Sequence, residues 1–399
     1  MRCRHLILLA LSLPLLHTQA SSQTKSPVLP EGTRAGGVFS PGVIAGDFLY
    51  LSGTLGTRRG EGLLTGIEAQ TRQTMENLRR VLDAADMDFS RVVRANVFLS
   101  DARHFSAMNA VYREYFSENP PTRATVEADM GVAGALVEIE MIAALPGVEK
   151  QTVFPDGLAT PPLPFSWGVQ AGDTLFVAGA TSRNPETFAP VAGDMTAQAR
   201  QVLENIGAVL RQADLDYSDV VEVTVFLADT RDFAAMNEVF RSFFPDSPPV
   251  RATVRAKLMN EAFKLEIQCT AVRGGARVPI LPAGASGNSP FSPTIDVADR
   301  LYIAGFTGRG PDGYAPGDVR EQTRAALRRL EDALTAGGLD FSDVVSTRVY
   351  LTDIRHFGAM NEVYASVVPQ PRPARTTVGS PLMSADALVE IQMMAVKRN

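Results

Sequence analysis

Pro121-Thr122-Arg123-Ala124-Thr125-Val126 is the stretch that decides the fold of this chain, because it occurs three times. It returns as Pro249-Val250-Arg251-Ala252-Thr253-Val254 and as Pro373-Ala374-Arg375-Thr376-Thr377-Val378. Each copy places an arginine two residues after a proline, at the start of a run rich in threonine and valine, which predicts a short β-strand. The guanidinium at the start of that strand is planar and permanently charged, so it suits the binding of a carboxylate.

Two other residues repeat with the spacing of the arginines, which is 128 and then 124 residues. A repeat of about 125 residues has the size of a domain and is too long for a solenoid unit. The chain is therefore predicted to contain one domain in three copies, at residues 28–147, 153–273 and 279–397, joined by linkers rich in proline and glycine. The other repeated residues are Asn109, Asn237 and Asn361, each ending a Phe-x-x-Met-Asn motif, and Glu138, Glu266 and Glu390.

The hydrophobic pattern of the first repeat predicts its order of elements. Met75, Leu78 and Leu82 recur at helical spacing, which indicates one apolar face of a helix. The predicted elements are a strand over residues 48–53, a helix that includes residues 73–82, a strand over 92–99, a helix over 105–116, and strands from residue 123 and over 136–144. This order predicts an α+β fold in which each copy is a mixed sheet with two helices on one face.

The other face of that sheet has no helix left to cover it. In the last strand Val137, Ile139 and Met141 share one face, while Glu138 and Glu140 share the opposite one. The second face is therefore expected either to meet solvent or to pack against another copy of the domain.

Residues 1–20 show the three regions of a secretory signal peptide in order. A basic start with Arg2 and Arg4 precedes an apolar run over residues 6–16, and small residues precede a predicted cleavage after Ala20. The apolar run is too short to span a membrane. The mature protein is therefore expected to be secreted or periplasmic, without a membrane anchor.

Composition argues against several classes of function. Loss of Arg2 and Arg4 leaves 36 of the 38 basic residues against 44 acidic ones, a net charge of −8, which disfavours nucleic acid as a partner. Cys269 is then the only cysteine, so an internal disulfide is impossible and a buried thiol is expected. His104 and His356 are the only remaining histidines, so neither a metal site nor a Ser-His-Asp triad is predicted.

Taken together, these motifs resemble those of the RidA (YjgF) family. The matching stretches of the first repeat are Phe39-Ser40-Pro41-Gly42-Val43, Leu51-Ser52-Gly53, the Phe-x-x-Met-Asn motif, the Pro-x-Arg-x-Thr stretch and Val137-Glu138-Ile139-Glu140. They keep the same order in all three copies. A Phe/Tyr-Ser-Asp-Val-Val element precedes the middle strand of the second and third copies, and the first copy departs from it with Arg91 in place of the acid.

The resemblance implies both a fold and a chemistry. RidA-like domains are similar in fold to the small trimeric chorismate mutases, with a site in each cleft between subunits. The family hydrolyses enamine and imine intermediates of amino acids to 2-keto acids and ammonia, and no cofactor is expected. Because three copies share one chain, we expect a monomer that folds as an internal pseudo-trimer and acts on a small, carboxylate-bearing imine or enamine.

The resemblance also implies the site residues. Each repeated arginine would bind the substrate carboxylate, and the catalytic candidates Glu138, Glu266 and Glu390 would orient or deprotonate the attacking water. The structural alternatives are an arginine paired with a neighbouring acid and a solvated strand glutamate. The other predicted substrate-binding residues are Asn109, Asn237 and Asn361; Gly53, Gly179 and Gly305; Thr125, Thr253 and Thr377; Phe39, Phe165 and Phe291; and Ser52.

Several of these residues carry open or altered roles. The asparagines either contact substrate or satisfy local backbone groups. The glycines end the first strand and either admit a backbone N–H to the carboxylate or form a plain turn. The phenylalanines stand where the family often has a tyrosine, so they keep an apolar wall without a hydroxyl. Ser52 is replaced by Ala178 and Ala304 in the other repeats, so only the first repeat keeps this hydroxyl. The predicted site residues of the first repeat are therefore the ones to test first.

Two other functions compete with imine hydrolysis. The predicted export fits poorly with clearance of an intermediate formed inside cells, so one alternative is a non-catalytic binder of small carboxylate ligands. The other is a ribonuclease, a label sometimes attached to this family. The acidic balance and the absence of a histidine from the second repeat argue against the ribonuclease.

Overall fold

The computed structural model describes residues 25–33, 36–282, 289–310, 313–314 and 317–398. The predicted signal peptide, residues 1–20, lies outside the described residues. Within them, no helix combines the length and the apolar character that crossing a bilayer requires.

The repeats share their main elements in the same order. In the first they are β1 (Ser26–Val28), β2 (Gly42–Ala45), β3 (Phe48–Leu55), β4 (Thr57–Arg58), β5 (Gly62–Leu63), α1 (Ile67–Asp83), β6 (Val92–Leu99), α2 (Phe105–Tyr115), β7 (Thr122–Glu127), β8 (Asp129–Met130) and β9 (Val137–Ala144). In the second they are β10 (Lys150–Val153), β11 (Gly168–Ala171), β12 (Thr174–Ala180), α3 (Met195–Gln212), β13 (Val220–Leu227), α4 (Phe233–Phe243), β14 (Val250–Arg255), β15 (Lys257–Leu258) and β16 (Leu265–Val272). In the third they are β17 (Val278–Ile280), β18 (Thr294–Val297), β19 (Arg300–Thr307), β20 (Arg309–Gly310), β21 (Gly313–Tyr314), α5 (Val319–Ala336), β22 (Val344–Leu351), α6 (Phe357–Val367), β23 (Ala374–Gly379) and β24 (Val389–Val396). Among the described residues the second repeat has no counterpart of the β4–β5 hairpin, and the third has no counterpart of β8 and β15.

The three main sheets are mixed and share one topology. In the first repeat the strand order is β1-β2-β3-β9-β6-β7, and β6 with β7 forms its parallel pair. The same parallel pairing joins β13 to β14 and β22 to β23. Two helices pack on one face of each sheet, so the predicted α+β class is confirmed.

The first long strand runs further than predicted. It was expected to end at Gly53, but β3 continues to Leu55, with a register shift against β9 between Leu51 and Thr54. The other two strands also contain their glycine, because β12 extends to Ala180 and β19 to Thr307. The glycine therefore marks a bulge inside the strand, a device that re-aims nearby side chains.

Each helical layer has its own apolar core. In the first repeat Met75 and Leu78 of α1 pack with Val137 and Ile139 of β9, as the alternation of that strand predicts. The equivalent cores of the second and third repeats are separate clusters. Residues from one repeat alone supply most of each of these cores.

The opposite faces of the sheets pack against each other. One apolar cluster contains Tyr50, Phe176 and Tyr302, one residue from each repeat, and a second contains Phe98, Phe226 and Tyr350 in the same way. Of the two outcomes expected for the uncovered sheet face, the described residues therefore show packing between copies. Burial of these aromatic rings contributes to the stability of the contact between repeats.

Strand pairing also links the repeats in a cycle. Strand β15 of the second repeat pairs with β7 of the first, and β8 of the first pairs with β23 of the third. An isolated bridge between Val254 and Leu382 makes the corresponding contact between the second and third repeats. Each strand that carries a repeated arginine is therefore covered at its edge by the next repeat.

A charged layer lies buried among the three inner faces. Arg94 approaches Glu222 at 3.4 Å, and Arg348 approaches Glu140 at 2.8 Å and Glu222 at 4.0 Å. Asn96 donates a hydrogen bond to Glu140. Such a cluster is stable only when its charges are paired, and here two arginines face two glutamates.

Candidate functional site

The repeated arginines lie at the second position of their strands and are almost fully buried. Arg123, Arg251 and Arg375 have relative exposures of 4%, 2% and 3%. Parallel pairing with β6, β13 and β22 holds the backbone of each arginine strand on its inner side. A buried guanidinium charge requires neighbouring groups that compensate for its lost hydration. Aromatic rings and asparagine side chains provide these contacts.

Aromatic rings of the same repeat cover each guanidinium. The arginine Cζ lies 4.9 Å from the ring centroid of Tyr112 for Arg123, 4.7 Å from Phe240 for Arg251, and 4.7 Å from Tyr364 for Arg375. The phenylalanine that opens the Phe-x-x-Met-Asn motif lies 5.8 to 5.9 Å from the same atom in each repeat. These distances are within the range of cation–π attraction, which is worth about 2 kcal/mol when desolvated. The rings hold the guanidinium in place without using its N–H groups.

The motif asparagines also support the arginines in two of the three repeats. Arg251 donates to Asn237 Oδ1 at 2.7 Å, and Arg375 donates to Asn361 Oδ1 at 2.6 Å. Asn109 instead donates to the backbone oxygen of Phe105. Of the two roles considered for these residues, Asn109 shows the satisfaction of a local backbone group, and contact with substrate stays a prediction. Support of the arginine by Asn237 and Asn361 was not predicted.

The glutamate beside each arginine, which is the predicted catalytic residue, comes from a different repeat. Cleft 1 is defined by Arg123 with Glu266, cleft 2 by Arg251 with Glu390, and cleft 3 by Arg375 with Glu138. In each pair the negative charge of the glutamate favours the charged form of the arginine and so acts to raise its pKa. The glutamate always belongs to the repeat that follows in the cycle.

A backbone hydrogen bond fixes each glutamate against the arginine strand. Glu266 Oε1 accepts from the N–H of Thr125 at 3.2 Å, and the equivalent bonds join Glu138 to the N–H of Thr377 and Glu390 to that of Thr253. These threonines are the predicted pocket residues that follow each arginine by two positions. Their backbone therefore holds the acid while their side chains lie beside it.

The strand glycines make room for these carboxyl groups. A Cβ added at Gly53, Gly179 or Gly305 would lie 1.9 to 2.0 Å from Oε1 of the glutamate in the same repeat. A side chain at any of these positions would force the carboxyl group out of its present place, and glycine avoids this displacement. These glycines are therefore not strand ends, and the group that lies beside them is the glutamate side chain. The predicted approach of a backbone N–H to the substrate carboxylate stays a prediction.

Burial raises the pKa of all three glutamates. The pKa reaches about 8 for Glu138, about 7 for Glu266 and about 8 for Glu390, with desolvation as the largest cause and the nearby arginines opposing it. Burial also lowers the pKa of Arg251 to about 9. A carboxyl group that titrates near neutral pH can accept or donate a proton there.

The clefts contain buried polar atoms without a protein partner. Nη1 of each repeated arginine makes no hydrogen bond to the described residues, and neither does the Oγ1 of each following threonine. The atoms belong to Arg123, Arg251 and Arg375 and to Thr125, Thr253 and Thr377. Unsatisfied buried groups are rare in native proteins, and the same pair occurs here three times. A bound carboxylate would supply the missing acceptors.

The predicted phenylalanines also cross between repeats. Phe291 lies 5.3 Å from the Cζ of Arg251, and Phe39 lies 5.6 Å from that of Arg375. Phe165 lines cleft 1 beside Arg123. Each ring therefore comes from the same repeat as the glutamate of its cleft.

Ser52 belongs to cleft 3 and not to the site of Arg123. Its Oγ accepts a hydrogen bond from the backbone N–H of Arg375 at 2.8 Å and donates to the backbone oxygen of Ser40 at 2.6 Å. The site residues predicted in the first repeat are therefore divided between two clefts, because each site draws on two repeats.

Cleft 1 is an open pocket with an empty volume of about 640 Å³, part of which reaches solvent. It is lined by Arg123 and Thr125 from the first repeat and by Phe165, Gly179, Arg183 and Glu266 from the second. Arg183 and the rings of Tyr112, Phe240 and Tyr364 were not predicted. The rings could have been found from their shared place in the second helix, three residues after the motif asparagine.

The chain is similar in sequence to a known family and to several known proteins. The family model described as endoribonuclease L-PSP matches residues 32–145, 159–273 and 285–397. A RutC family protein of Pyrococcus horikoshii is 40% identical over 124 residues, which are 31% of this chain and 98% of that protein. The 2-iminobutanoate/2-iminopropanoate deaminase of Mus musculus is 34% identical over 111 residues, 28% of this chain and 82% of the mouse protein.

A solved chorismatase structure matches a larger share of the chain. It covers 77% of this chain and 93% of its own, with a TM-score of 0.52 and 17% identity. At that identity the likeness concerns the fold alone.

Proposed function

This chain belongs to the endoribonuclease L-PSP family, which includes the RidA proteins, and we propose that it hydrolyses 2-imino acids and their enamine tautomers to 2-keto acids and ammonia. The observation that carries the proposal is the threefold recurrence of a buried arginine with an unpartnered Nη1 facing a site that holds a glutamate of raised pKa. The name of the mouse relative, an iminobutanoate and iminopropanoate deaminase, supports the same chemistry.

The arginine and threonine of each cleft would position the substrate. The free Nη1 of the guanidinium and the threonine hydroxyl donate to the substrate carboxylate, and the aromatic rings keep the guanidinium oriented. Fixing the carboxylate places the adjacent imine carbon beside the glutamate. Free imines hydrolyse without a catalyst, so the barrier to be removed is modest and positioning can supply much of it.

The glutamate would then move the protons. An enamine first takes a proton at its carbon and becomes the imine. The glutamate carboxylate removes one proton from water as the water oxygen bonds to the carbon of the nitrogen-protonated imine, which gives a carbinolamine. The glutamate then returns this proton to the amine nitrogen. The C–N bond breaks as the hydroxyl gives its proton to the glutamate and forms the keto C=O, and the glutamate finally releases that proton to solvent. The products are a 2-keto acid and ammonia, so no oxidant or reductant is consumed.

The direct test uses imines generated in situ by an amino-acid oxidase, with release of the 2-keto acid followed over time. Wild-type protein should accelerate release over buffer, and the triple Glu138→Gln, Glu266→Gln and Glu390→Gln variant should do so about 10²-fold less. The glutamine variant keeps the size of each side chain, so circular dichroism should report an unchanged fold. Arginine-to-alanine variants at positions 123, 251 and 375 then test carboxylate binding one cleft at a time. Absence of acceleration by the wild type would overturn the proposal, and ligand binding without acceleration would favour the carboxylate-binding alternative.

We also propose that the three repeats form the trimer of the family within one chain. The inter-repeat strand pairs, the two shared apolar clusters and the cyclic arginine–glutamate clefts support this arrangement. On this proposal the chain is a monomer with three non-identical sites.

Export remains a separate proposal, based on the signal-peptide pattern of residues 1–20. Mass spectrometry of the protein recovered from outside the cytoplasm should give an N-terminus after Ala20. An intact Met1 in all of the recovered protein would contradict it.

A further inference from the structure

A second arginine distinguishes cleft 1 from the other two clefts. Arg183 follows strand β12 and lines cleft 1 together with Arg123 and Glu266. The equivalent positions in the first and third repeats are Thr57 and Arg309, and both of these are exposed. Arg183 is only half-exposed, and its burial lowers the pKa of its guanidinium.

Two aromatic rings support Arg183. Its Cζ lies 4.2 Å from the ring centroid of Phe188 and 4.7 Å from that of Phe263, distances within the range of cation–π attraction. Phe263 corresponds to Ala135 in the first repeat and Ala387 in the third. Of the three repeats, only the second combines an arginine at this position with a phenylalanine at the position of Phe263.

The backbone around Arg183 is held as well. Asn205 donates to the backbone oxygen of Arg183 at 2.9 Å. In the loop that carries Phe188, Asn184 Oδ1 accepts from the N–H groups of Glu186 and Thr187, and Phe188 has a left-handed φ of 60°. A residue other than glycine takes that conformation only where the surroundings determine it. The loop thus fixes the position of the guanidinium.

Most donors of this guanidinium are not used within the protein. Among the described residues, the hydrogen bond that it donates goes to the backbone oxygen of Phe188 at 3.0 Å. A guanidinium carries five N–H donors. Glu266 of the same cleft attracts this cation electrostatically, but no acid is paired with it at salt-bridge distance among the described residues. A supported cation beside an open cleft, with donors to spare, suits an anionic group of a ligand.

We propose that cleft 1 selects 2-imino dicarboxylates, with Arg123 binding the carboxylate next to the imine and Arg183 binding the one at the far end of the side chain. This inference rests on the proposed function, since it names the substrate class of the same site. Water adds to the imine carbon and ammonia leaves, as before, so the product is a 2-oxo dicarboxylate. At the equivalent position cleft 2 has the exposed Arg309 and cleft 3 has Thr57, and the residues that match Phe263 are alanines, so these clefts take monocarboxylates without that preference.

Binding of products tests the inference without relying on catalysis. Trp167 is the only tryptophan of the chain, and its ring lies 5.9 Å from Phe165 and 5.7 Å from Phe188, which flank cleft 1. Its fluorescence therefore reports on this cleft. We expect 2-oxoglutarate to bind at least tenfold more tightly than 2-oxobutanoate, and Arg183→Met to remove that preference. The matched control is Arg309→Met, the exposed counterpart in the third repeat, which should keep it.

Kinetics provide the second measurement. In a Glu138→Gln and Glu390→Gln background, cleft 1 alone keeps its glutamate, so turnover of imines made from glutamate and from 2-aminobutyrate can be compared there. Arg183→Met should lower the ratio of the two kcat/KM values at least tenfold, mainly through KM for the dicarboxylate. Equal losses for both substrates, with a shifted pH profile, would show that Arg183 acts on Glu266 and would overturn the inference. Equal affinity of the wild type for both keto acids would also overturn it, and would leave the proposed function standing if monocarboxylate imines are still hydrolysed.

Discussion

Glu266 of the second repeat accepts a hydrogen bond from the backbone N–H of Thr125 in the first repeat, with an N···O distance of 3.2 Å. The two residues are 141 positions apart in the chain. The bond brings the acid to the strand that begins with Arg123, and the same relation recurs between Glu138 and Thr377. A site of this kind exists only when the repeats are packed together.

The raised pKa values of the glutamates predict how activity depends on pH. The base form is the carboxylate, whose fraction increases as pH rises through a pKa of about 7 for Glu266 and about 8 for Glu138 and Glu390. We expect kcat/KM, corrected for spontaneous hydrolysis, to rise through this window and to level off above it. Replacing all three with glutamine should lower kcat by about 10²-fold and abolish the rise. Exposed Glu114→Gln is the control, and the same rise in the triple variant would contradict the role of these acids.

Gly53→Ala should damage cleft 3 from within. The added methyl would lie 2.0 Å from Glu138 Oε1, so the carboxyl must move away from the strand that carries Arg375. We expect a loss of stability of about 1–3 kcal/mol and a loss of the turnover that depends on this cleft. Chemical denaturation and the imine assay measure the two effects. Gly358→Ala is the matched control, because no atom lies within 4 Å of its added Cβ; it should leave both unchanged or increase stability slightly. An active, fully stable Gly53→Ala would refute the packing described here.

Arg348→Met should destabilise the protein through the buried charged layer. It leaves Glu140 and Glu222 with Arg94 as their remaining buried cation in that layer, and breaking such a network costs about 3–5 kcal/mol. Urea unfolding measures the loss, and adding Glu140→Gln should recover part of it because one unpaired charge disappears. Arg355→Met, at the surface, should have no measurable effect. If the double variant Arg348→Met, Glu140→Gln is no more stable than Arg348→Met alone, the loss of stability does not come from an unpaired buried charge.

Light scattering tests the internal arrangement of the repeats. If the inner sheet faces of the three repeats pack against one another within one chain, the full chain should be a monomer, with a mass of 42.9 kDa or slightly less after cleavage. The mass should not change with protein concentration. A stable assembly of three full chains would mean that the repeats pair between chains and not within one.

Local patterns were sufficient for much of the fold. The helical spacing of Met75 and Leu78 and the alternation of Val137 and Ile139 predicted the faces that form the first core, because burial of one face imposes a period on the side chains. The strand bounds were less certain. The sequence predicts a strand end at Gly53, since the sequence alone does not distinguish a glycine that breaks a strand from one that admits a neighbouring side chain.

The composition of each site was beyond local patterns. Arg123, Glu266 and Phe165 each belong to a motif that recurs in every repeat. The spacing of these motifs does not show whether Arg123 contacts the glutamate of its own repeat or that of the next one. Arg183 was missed for a related reason. Its support by Phe188 and Phe263 depends on a loop and a strand connection that are brought together only by folding.

The sequence by itself therefore determined that one α+β domain occurs three times, and which arginine, glutamate and asparagine each copy contributes. Secondary structure is predicted by the local periodicity of apolar side chains, and the repetition is predicted by the fixed intervals between matching residues. Only the tertiary structure decided that Ser52 serves Arg375, that Gly53 makes room for Glu138, and that every cleft joins two repeats. Those relations depend on contacts between sheet faces more than 100 residues apart, and complementary packing of whole surfaces leaves no short pattern in the sequence.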